Sequence, residues 1–281
     1  MRIITDSAAD FTRDELKELN VVCIPLQVAF GDDTYADGVT LTSDIFWSRL
    51  TGGETPKTSQ PSPDVFLNAF EEARDSGEEV ICVLLSSGLS GTVQSAMLAK
   101  SMADYEDIHI VDSLQVATAQ RMLVLRACQL RDEGRLSAEE ITAELERFKK
   151  RIRLYACLDT LEYLARGGRI PSAAAAVGSM VQLKPLITLN EEGKVAMAGK
   201  GMGMHRATAS LIKLIQQHEI DLDYELLPLY TFSSGNCAGM VKKLNAAGIP
   251  CSEENMISVG ATIGAHAGPG AFGLVFVEKE V

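Results

Sequence analysis

The segment that decides the fold is Val80-Ile81-Cys82-Val83-Leu84-Leu85-Ser86-Ser87-Gly88-Leu89-Ser90-Gly91-Thr92. Its apolar first half is typical of a strand that is buried on both faces of a sheet. A turn of serines and glycines follows, and small residues then favour a helix over 92–104. A buried strand that passes through a polar turn into a helix is the repeating unit of α/β proteins.

Strand and helix signals alternate on both sides of this unit. Short apolar runs predict strands at 2–5 and 109–112, whereas 63–76 and 116–133 have the pattern of helices. This alternation predicts a parallel or mixed sheet with helices on both faces. We therefore assign the first half of the chain to the α/β class.

Three shorter signals predict where single elements turn or begin. Residues 21–30 form one extended run, and Gly31-Asp32-Asp33 predicts a hairpin turn after it. Ser43 is the predicted N-cap of a helix over 43–50. Ser137-Ala138-Glu139-Glu140 matches the capping-box pattern and predicts that another helix begins there.

The chain changes character near residues 157–160, where we place a domain boundary. An N-terminal α/β domain is predicted for 1–158 and a C-terminal α+β domain for 159–272. The last strand, 273–281, can return to the first domain. Within the second domain we predict a small-residue helix at 171–180 and a hairpin over 184–198 that turns at 190–193.

The composition is that of an ordinary globular protein, with 46% hydrophobic and 23% charged residues. A formal net charge of −12 argues against a nucleic-acid groove, because phosphate contacts need clustered Lys and Arg. No apolar stretch reaches the ~18 residues of a membrane span, so we expect a cytoplasmic protein with at most transient membrane contact. Six scattered cysteines without a C-x-x-C pair predict reduced, mostly buried thiols rather than disulfides or a zinc site.

Two uncharged, hydroxyl-rich turns are the strongest functional signal. Besides the turn at 86–92, the chain carries Thr58-Ser59-Gln60-Pro61-Ser62-Pro63, in which the prolines restrict the backbone. Hydroxyl and free N–H groups in front of a helix can hold a small anion, such as a carboxylate, without a salt bridge. N-capping of the following helix is the simpler interpretation of each turn. Together the two turns favour a carrier over a catalyst.

A serine hydrolase and a kinase are the two catalytic alternatives to a carrier. Gly88-Leu89-Ser90-Gly91-Thr92 resembles the G-x-S-x-G nucleophile elbow of serine hydrolases, but Thr92 replaces the last glycine. A lipid-active hydrolase would use Ser90 as nucleophile and His266 as base. A kinase ranks last, because the chain lacks a G-x-x-x-x-G-K-[ST] loop and a cluster of acidic magnesium ligands.

Two further residues have a structural and a functional interpretation that remain equally open. Arg169 follows Gly167-Gly168 and is either a cation at a helix end or a phosphate clamp. His266 lies in the glycine-rich run 260–273, which predicts an exposed loop.

An ordered set of segments across nearly the whole chain resembles the DegV family of bacterial fatty-acid-binding proteins. The segments are Thr5-Asp6-Ser7, Thr58-Ser59-Gln60-Pro61-Ser62, Leu85-Ser86-Ser87-Gly88-Leu89-Ser90-Gly91-Thr92 with Gln94-Ser95-Ala96, Leu161-Glu162-Tyr163-Leu164 with Gly167-Gly168-Arg169-Ile170, and Gly264-Ala265-His266-Ala267-Gly268-Pro269-Gly270. One departure is Val93, where the family often carries an aromatic residue.

The resemblance implies a two-domain α/β protein with a long-chain fatty acid buried between the domains. Thr58 and Ser90 match the Thr and Ser that hold the carboxylate in the family. Ser59, Gly91 and Thr92 are secondary candidates near the head group. Arg169 and His266 match residues of a phosphate- or kinase-facing surface in the family.

The resemblance also implies a carrier that has no catalysis, cofactor or metal of its own. Family members in many Gram-positive bacteria present the bound acid to a separate ATP-dependent fatty acid kinase, which makes an acyl-phosphate. Burial of the ~14 methylenes of a palmitoyl tail at ~0.8 kcal/mol each would dominate affinity. The small residues 172–178 either open a channel for that tail or pack closely against another helix.

Overall fold

The computed structural model describes residues 1–171 and 182–280. The small-residue helix predicted at 171–180, with its proposed tail channel at 172–178, therefore lies almost entirely outside the described residues. The strands in the described ranges are β1 (Arg2–Asp6), β2 (Val21–Ile24), β3 (Gln27–Phe30), β4 (Asp33–Ala36), β5 (Pro56–Ser59), β6 (Val80–Leu84), β7 (Ile108–Asp112), β8 (Ile152–Cys157), β9 (Leu183–Leu189), β10 (Val195–Met202), β11 (Leu227–Tyr230), β12 (Ile257–Ser258) and β13 (Phe272–Val277). The α-helices there are α1 (Arg13–Glu18), α2 (Ser43–Thr51), α3 (Pro63–Asp75), α4 (Thr92–Ala103), α5 (Thr118–Glu133), α6 (Ala138–Phe148), α7 (Glu162–Arg166), α8 (Gly203–Ile215), α9 (Gly235–Ala246) and α10 (Ala261–Ala267).

The first half of the chain forms a parallel four-stranded sheet in the order β2-β1-β6-β7. Side chains alternate between its faces, so Ile81 and Val83 pack with α5 and α6, whereas Val80 and Cys82 pack with α3 and α4. All five residues of β6 are buried, as expected for a strand covered on both sides. The predicted α/β class is confirmed.

The second half is organised around a six-stranded, largely antiparallel sheet in the order β10-β9-β8-β13-β11-β12. β13 lies between β8 and β11, in the interior of this sheet and not in the parallel one. β8 also belongs to it, although the sequence predicts the domain boundary just after this strand. The domain limits at 158 and 272 stay a prediction.

A small three-stranded sheet, in the order β4-β3-β5, holds the start of the polar segment 58–63. The predicted hairpin is confirmed, because Phe30 pairs with Asp33 across the turn. The extended run 21–30 is divided into β2 and β3 around Pro25, which has no N–H for a ladder. β5 pairs with β3, and α10 packs beside both strands.

Two predicted helix starts have different outcomes. The capping box at Ser137 is confirmed, since its side chain accepts from Glu140 N and the Glu140 carboxylate accepts from Ser137 N. The N-cap assigned to Ser43 is wrong by one residue. Thr42 has the extended backbone of an N-cap, and its hydroxyl accepts from Ile45 N.

The cysteines of the described ranges have the free and mostly buried state that the sequence predicts. All six thiols are free, and five of them are buried. Within 1–171 and 182–280, no helix combines the length and the apolar composition that crossing a bilayer requires.

Candidate functional site

A cavity of about 420 Å³ lies between strands of the six-stranded sheet and the turn that follows β6. β5, the turn after β6, β8, β9 and α10 all contribute to its wall. Most of the lining is apolar: Leu26, Leu85, Leu89, Val116, Leu154, Leu158, Leu164, Ile187, Leu189, Val195, Ile263 and Ala267. The polar side chains that reach the cavity are few: Thr58, Ser59, Gln60, Ser90, Arg169, Thr262 and His266. An apolar cavity with a few convergent polar groups is the usual form of a small-molecule site.

The structure brings six of the seven predicted site residues to this cavity. They are Thr58, Ser59, Ser90, Gly91, Arg169 and His266. The seventh, Thr92, is fully buried behind them, and its Oγ1 lies 2.9 Å from Ser90 Oγ. Thr92 therefore positions the Ser90 hydroxyl and does not line the cavity.

Thr58 is held by strand pairing. It lies in β5 opposite Val28 of β3, and not in a loop as the sequence predicts. Its Oγ1 is 2.8 Å from Nε2 of His266, which α10 brings from the other end of the chain. The contact ties the first polar turn to the glycine-rich segment.

The loop that carries Ser90 is held by close contacts with its neighbours. Gly91 is the N-cap of α4 and has no side chain, and the helix has no side-chain cap, so the N-capping interpretation of this turn is wrong. A Cβ at Gly91 would lie 1.9 Å from Oε1 of Gln60. Gln60 in turn donates to Ser95 Oγ at 3.0 Å. The two polar turns are thus packed directly against each other.

His266 is a correction to the sequence-based expectation of an exposed loop. It lies in the last turn of α10, and its Nδ1 is buried without a hydrogen-bond partner among the described residues. Burial, reinforced by the positive charge of Arg169, lowers the pKa of His266 to about 4. The imidazole is therefore neutral at pH 7.

Arg169 brings a positive charge to the same place. Its Nε donates to the carbonyl of Leu89 at 3.1 Å, next to Ser90, and its guanidinium also donates to the carbonyl of Gly167. A Cβ at Gly167 would lie 2.1 Å from Nδ1 of His266, so the three groups are neighbours. Desolvation lowers the pKa of Arg169, and no carboxylate among the described residues offsets this effect. Arg169 is thus a positive charge at the cavity that a bound anion would compensate.

The geometry does not assemble a nucleophile and its base. Ser90 Oγ bonds Thr92, whereas His266 bonds Thr58, so the Ser90–His266 pair of a hydrolase is not formed. No group of three or more potential metal ligands occurs among the residues that the structure describes. The arrangement offers hydroxyl donors, one guanidinium and a neutral imidazole, which suits the binding of an anionic head group.

Sequence reasoning missed Gln60 and the apolar wall. Gln60 belongs to the polar segment 58–63, and its contact with Gly91 joins residues that are distant in the sequence. No local pattern predicts such a contact. Many of the wall residues come from β8, β9 and α10 and the rest from distant loops, and these segments meet only through the tertiary fold. Their apolar character predicts burial but not a cavity.

Comparison with known proteins extends over the whole chain. A family model described as "Uncharacterised protein, DegV family" matches residues 1–279. A solved structure described as fatty acid binding of a DegV family protein from Thermus thermophilus is 33% identical, with a TM-score of 0.87 and coverage of 99% of this chain and 100% of that one. The structure of DegV from Bacillus subtilis, described as a fatty acid binding protein, is 30% identical, with a TM-score of 0.82 and 99% coverage of both chains.

A third solved structure shares the fold alone. It is the Fatty Acid Kinase (Fak) B3 protein of Streptococcus pneumoniae loaded with linoleic acid, which is 22% identical, with a TM-score of 0.85 and 99% coverage of both chains. The family match over residues 1–279, the two relatives at 30% identity or more and the shared α/β architecture lead to one conclusion. The chain belongs to the DegV family.

Proposed function

We propose that the protein binds a long-chain fatty acid in the 420 Å³ cavity, with the carboxylate held by Thr58 and Ser90. The observation that carries the proposal is the gathering of the Thr58 and Ser90 hydroxyl groups, Arg169 and His266 in a cavity whose lining is mostly apolar. The two relatives described as fatty acid binding share at least 30% of their residues with this chain and support the same ligand class.

The hydrogen-bond pattern at Thr58 suits a carboxylate. A neutral His266 carries one proton, and an N–H at Nδ1 would be a buried donor without a described partner. We therefore place the proton on Nε2, where it donates to Thr58 Oγ1 across 2.8 Å. Thr58 then keeps its own O–H for the ligand, and Ser90 supplies a second hydroxyl donor.

The apolar wall supplies most of the affinity. Each methylene removed from water contributes ~0.8 kcal/mol, so a buried C16 tail contributes about 11 kcal/mol before the cost of association. The head-group contacts then need only orient the carboxylate. Hydroxyl donors leave its oxygens more nucleophilic than a direct ion pair would, which is what a phosphoryl acceptor requires.

We extend the proposal to presentation of the bound acid to a separate fatty acid kinase. Arg169 lies beside the proposed head group and is not neutralised by a described carboxylate, so it can stabilise a phosphate formed there. His266 is its neighbour and links Thr58 to this region. The protein itself acts as a carrier and not as an enzyme.

Mass spectrometry of an organic extract of the purified protein tests the ligand. We expect about one C14–C18 fatty acid per chain. A preparation that contains no lipid and fails to bind added palmitate or oleate contradicts the proposal. Time-dependent labelling of Ser90 by a fluorophosphonate would instead support the serine hydrolase.

Replacement of Ser90 by Ala tests the carboxylate site. Loss of one hydrogen bond to a charged group should weaken fatty acid binding by about 1.5–3 kcal/mol, roughly 10- to 150-fold in Kd. Ser62→Ala is the matched control, because Ser62 is an exposed hydroxyl that makes no side-chain cap and does not line the cavity. Equal dissociation constants for the two variants, with circular dichroism unchanged, would remove Ser90 from the site.

A further inference from the structure

A second cavity of about 690 Å³ adjoins the proposed fatty-acid cavity. Two side chains, Leu154 of β8 and Leu189 of β9, line both cavities. The remaining lining of the second cavity is Leu114, Gln115, Lys149, Lys150, Ile152, Arg153, Tyr155, Thr188, Asn190 and Glu191. The two leucines are therefore a shared wall between the cavities.

Leu154 and Leu189 lie just beyond the point where the pairing of β8 and β9 ends. β8 and β9 pair only at Ala156 with Ile187 and at Cys157 with Leu186. Continuation of that register would place Leu154 opposite Leu189, but no pairing occurs there. Because no ladder pairing joins Leu154 to Leu189, the separation between the two cavities at this point depends on side chains.

The neighbouring wall segment is fixed by hydrogen bonds. Val116 lines the first cavity, while Leu114 and Gln115 line the second. Asp112 Oδ1 accepts from the backbone N–H groups of Leu114 and Ser87, each at 3.1 Å. Residues 114–116 are therefore fixed to the turn at 86–92 by hydrogen bonds. Between Leu154 and Leu189, by contrast, only side chains separate the two cavities.

We propose that Leu154 and Leu189 form the end wall of the acyl cavity and set the longest chain that binds tightly. Beyond this wall, the leucines themselves, Leu114 and Ile152 offer apolar surface to the methyl end of a longer chain. Lys150 is exposed and Arg153 pairs with Glu278, so these charges remain at the hydrated side. This inference rests on the proposed function and specifies its chain-length selectivity.

Leu189→Ala tests the wall. Leu189 is only partly buried, so its truncation is tolerated better than that of the buried Leu154. The purified variant is delipidated, incubated with an equimolar mixture of saturated C14–C24 acids, and its bound acids are measured by mass spectrometry. We expect the ratio of bound C22 to bound C16 to rise at least about tenfold over the wild type, the factor expected when two further methylenes leave water.

Ile187→Ala is the matched control, because Ile187 lines the first cavity only. It should lower occupancy by all chain lengths without the same rise in the C22 to C16 ratio. An unchanged ratio in Leu189→Ala, or an equal change in both variants, overturns the inference; Leu189→Val replaces Leu189→Ala if the latter does not fold. A wild-type protein that takes up no acid of any length would instead contradict the proposed function.

Discussion

At the scale of single residues, the neutral state of His266 couples the site to pH. The folded protein lowers the pKa of His266 from 6.5 to about 4, so protons bind more tightly to the unfolded chain. The resulting stabilisation is fully present above pH 6.5 and is lost as the pH falls towards 4. Its magnitude is about 3 kcal/mol, from ~1.4 kcal/mol for each pH unit between the two pKa values.

His266→Gln should remove this part of the pH dependence. Between pH 7 and pH 4, the free energy of unfolding of the wild type should fall by up to about 3 kcal/mol more than that of the variant. Urea unfolding at a series of pH values measures the difference.

The wild type must be compared with His266→Gln because buried aspartates change the stability of the fold with pH in the opposite direction. Burial raises the pKa of Asp6 to about 6 and also raises the pKa of Asp10 and of Asp37, so their protonation on acidification favours the folded state. These groups are present in both proteins and cancel in the difference. Parallel curves for wild type and variant would show that His266 titrates normally.

The residues of the site differ in how far the sequence reveals them. Thr58 and Ser90 stand in hydroxyl-rich segments, and the strands and helices beside these segments are predictable from local pattern. His266 was predicted in an exposed loop, because glycines dominate its neighbourhood. Burial of α10 against Phe46 and Trp47 of α2 overrides that local signal, and only the tertiary fold contains this contact.

At the scale of elements, the β9–β10 turn is locked onto the loop that carries Ser90. Ser86 Oγ donates to the carbonyl of Gly193 at 2.8 Å and accepts from Gly88 N at 3.1 Å. Gly193 has a φ of +68°, and a Cβ there would lie 2.1 Å from Ser86 Oγ. The turn therefore requires glycine for both its backbone conformation and its packing.

Gly193→Ala should destabilise the protein by roughly 2–4 kcal/mol, from an unfavourable backbone conformation and a lost buried hydrogen bond. Gly31→Ala is the control, since Gly31 has a φ of +58° in another hairpin turn with open space around it. It should cost only about 1–2 kcal/mol. Thermal or urea unfolding of both variants measures the difference, and equal losses would mean that the contact with Ser86 adds nothing.

Sequence and structure also diverge at the level of elements for physical reasons. The hairpins at 31–33 and 190–193 are short-range features, and both are found where the turn residues predict them. The position of β13 between β8 and β11 depends on partners more than 40 residues away. Hydrophobic pattern predicts such a strand, but not the sheet that it joins.

At the scale of the whole molecule, the proposed ligand lies between the six-stranded sheet, β5 and the turn that follows β6. Binding to the folded state alone, at a free ligand concentration of 100 times Kd, stabilises a protein by about 2.7 kcal/mol. For a chain of this size, Tm should therefore rise by roughly 5 °C or more with palmitate. Differential scanning calorimetry of the delipidated protein measures the shift.

The methyl ester of palmitate is the matched ligand for this experiment. It keeps the tail and removes the charged head group, so the rise in Tm should be clearly smaller. An equal rise with acid and ester would mean that the hydroxyl groups, Arg169 and His266 do not recognise the carboxylate.

The interior position of β13 also has a consequence during synthesis on the ribosome. The parallel sheet has all its strands once residue 112 has emerged, whereas β8 and β11 cannot be bridged until residue 277 is available. At ~5–20 residues per second, the nascent chain spends roughly 10–30 s with the first sheet complete and the second unclosed. Because α10, which emerges only after residue 260, lines the cavity together with β8 and β9, a growing chain has no finished cavity, and loading of the proposed fatty acid would follow synthesis.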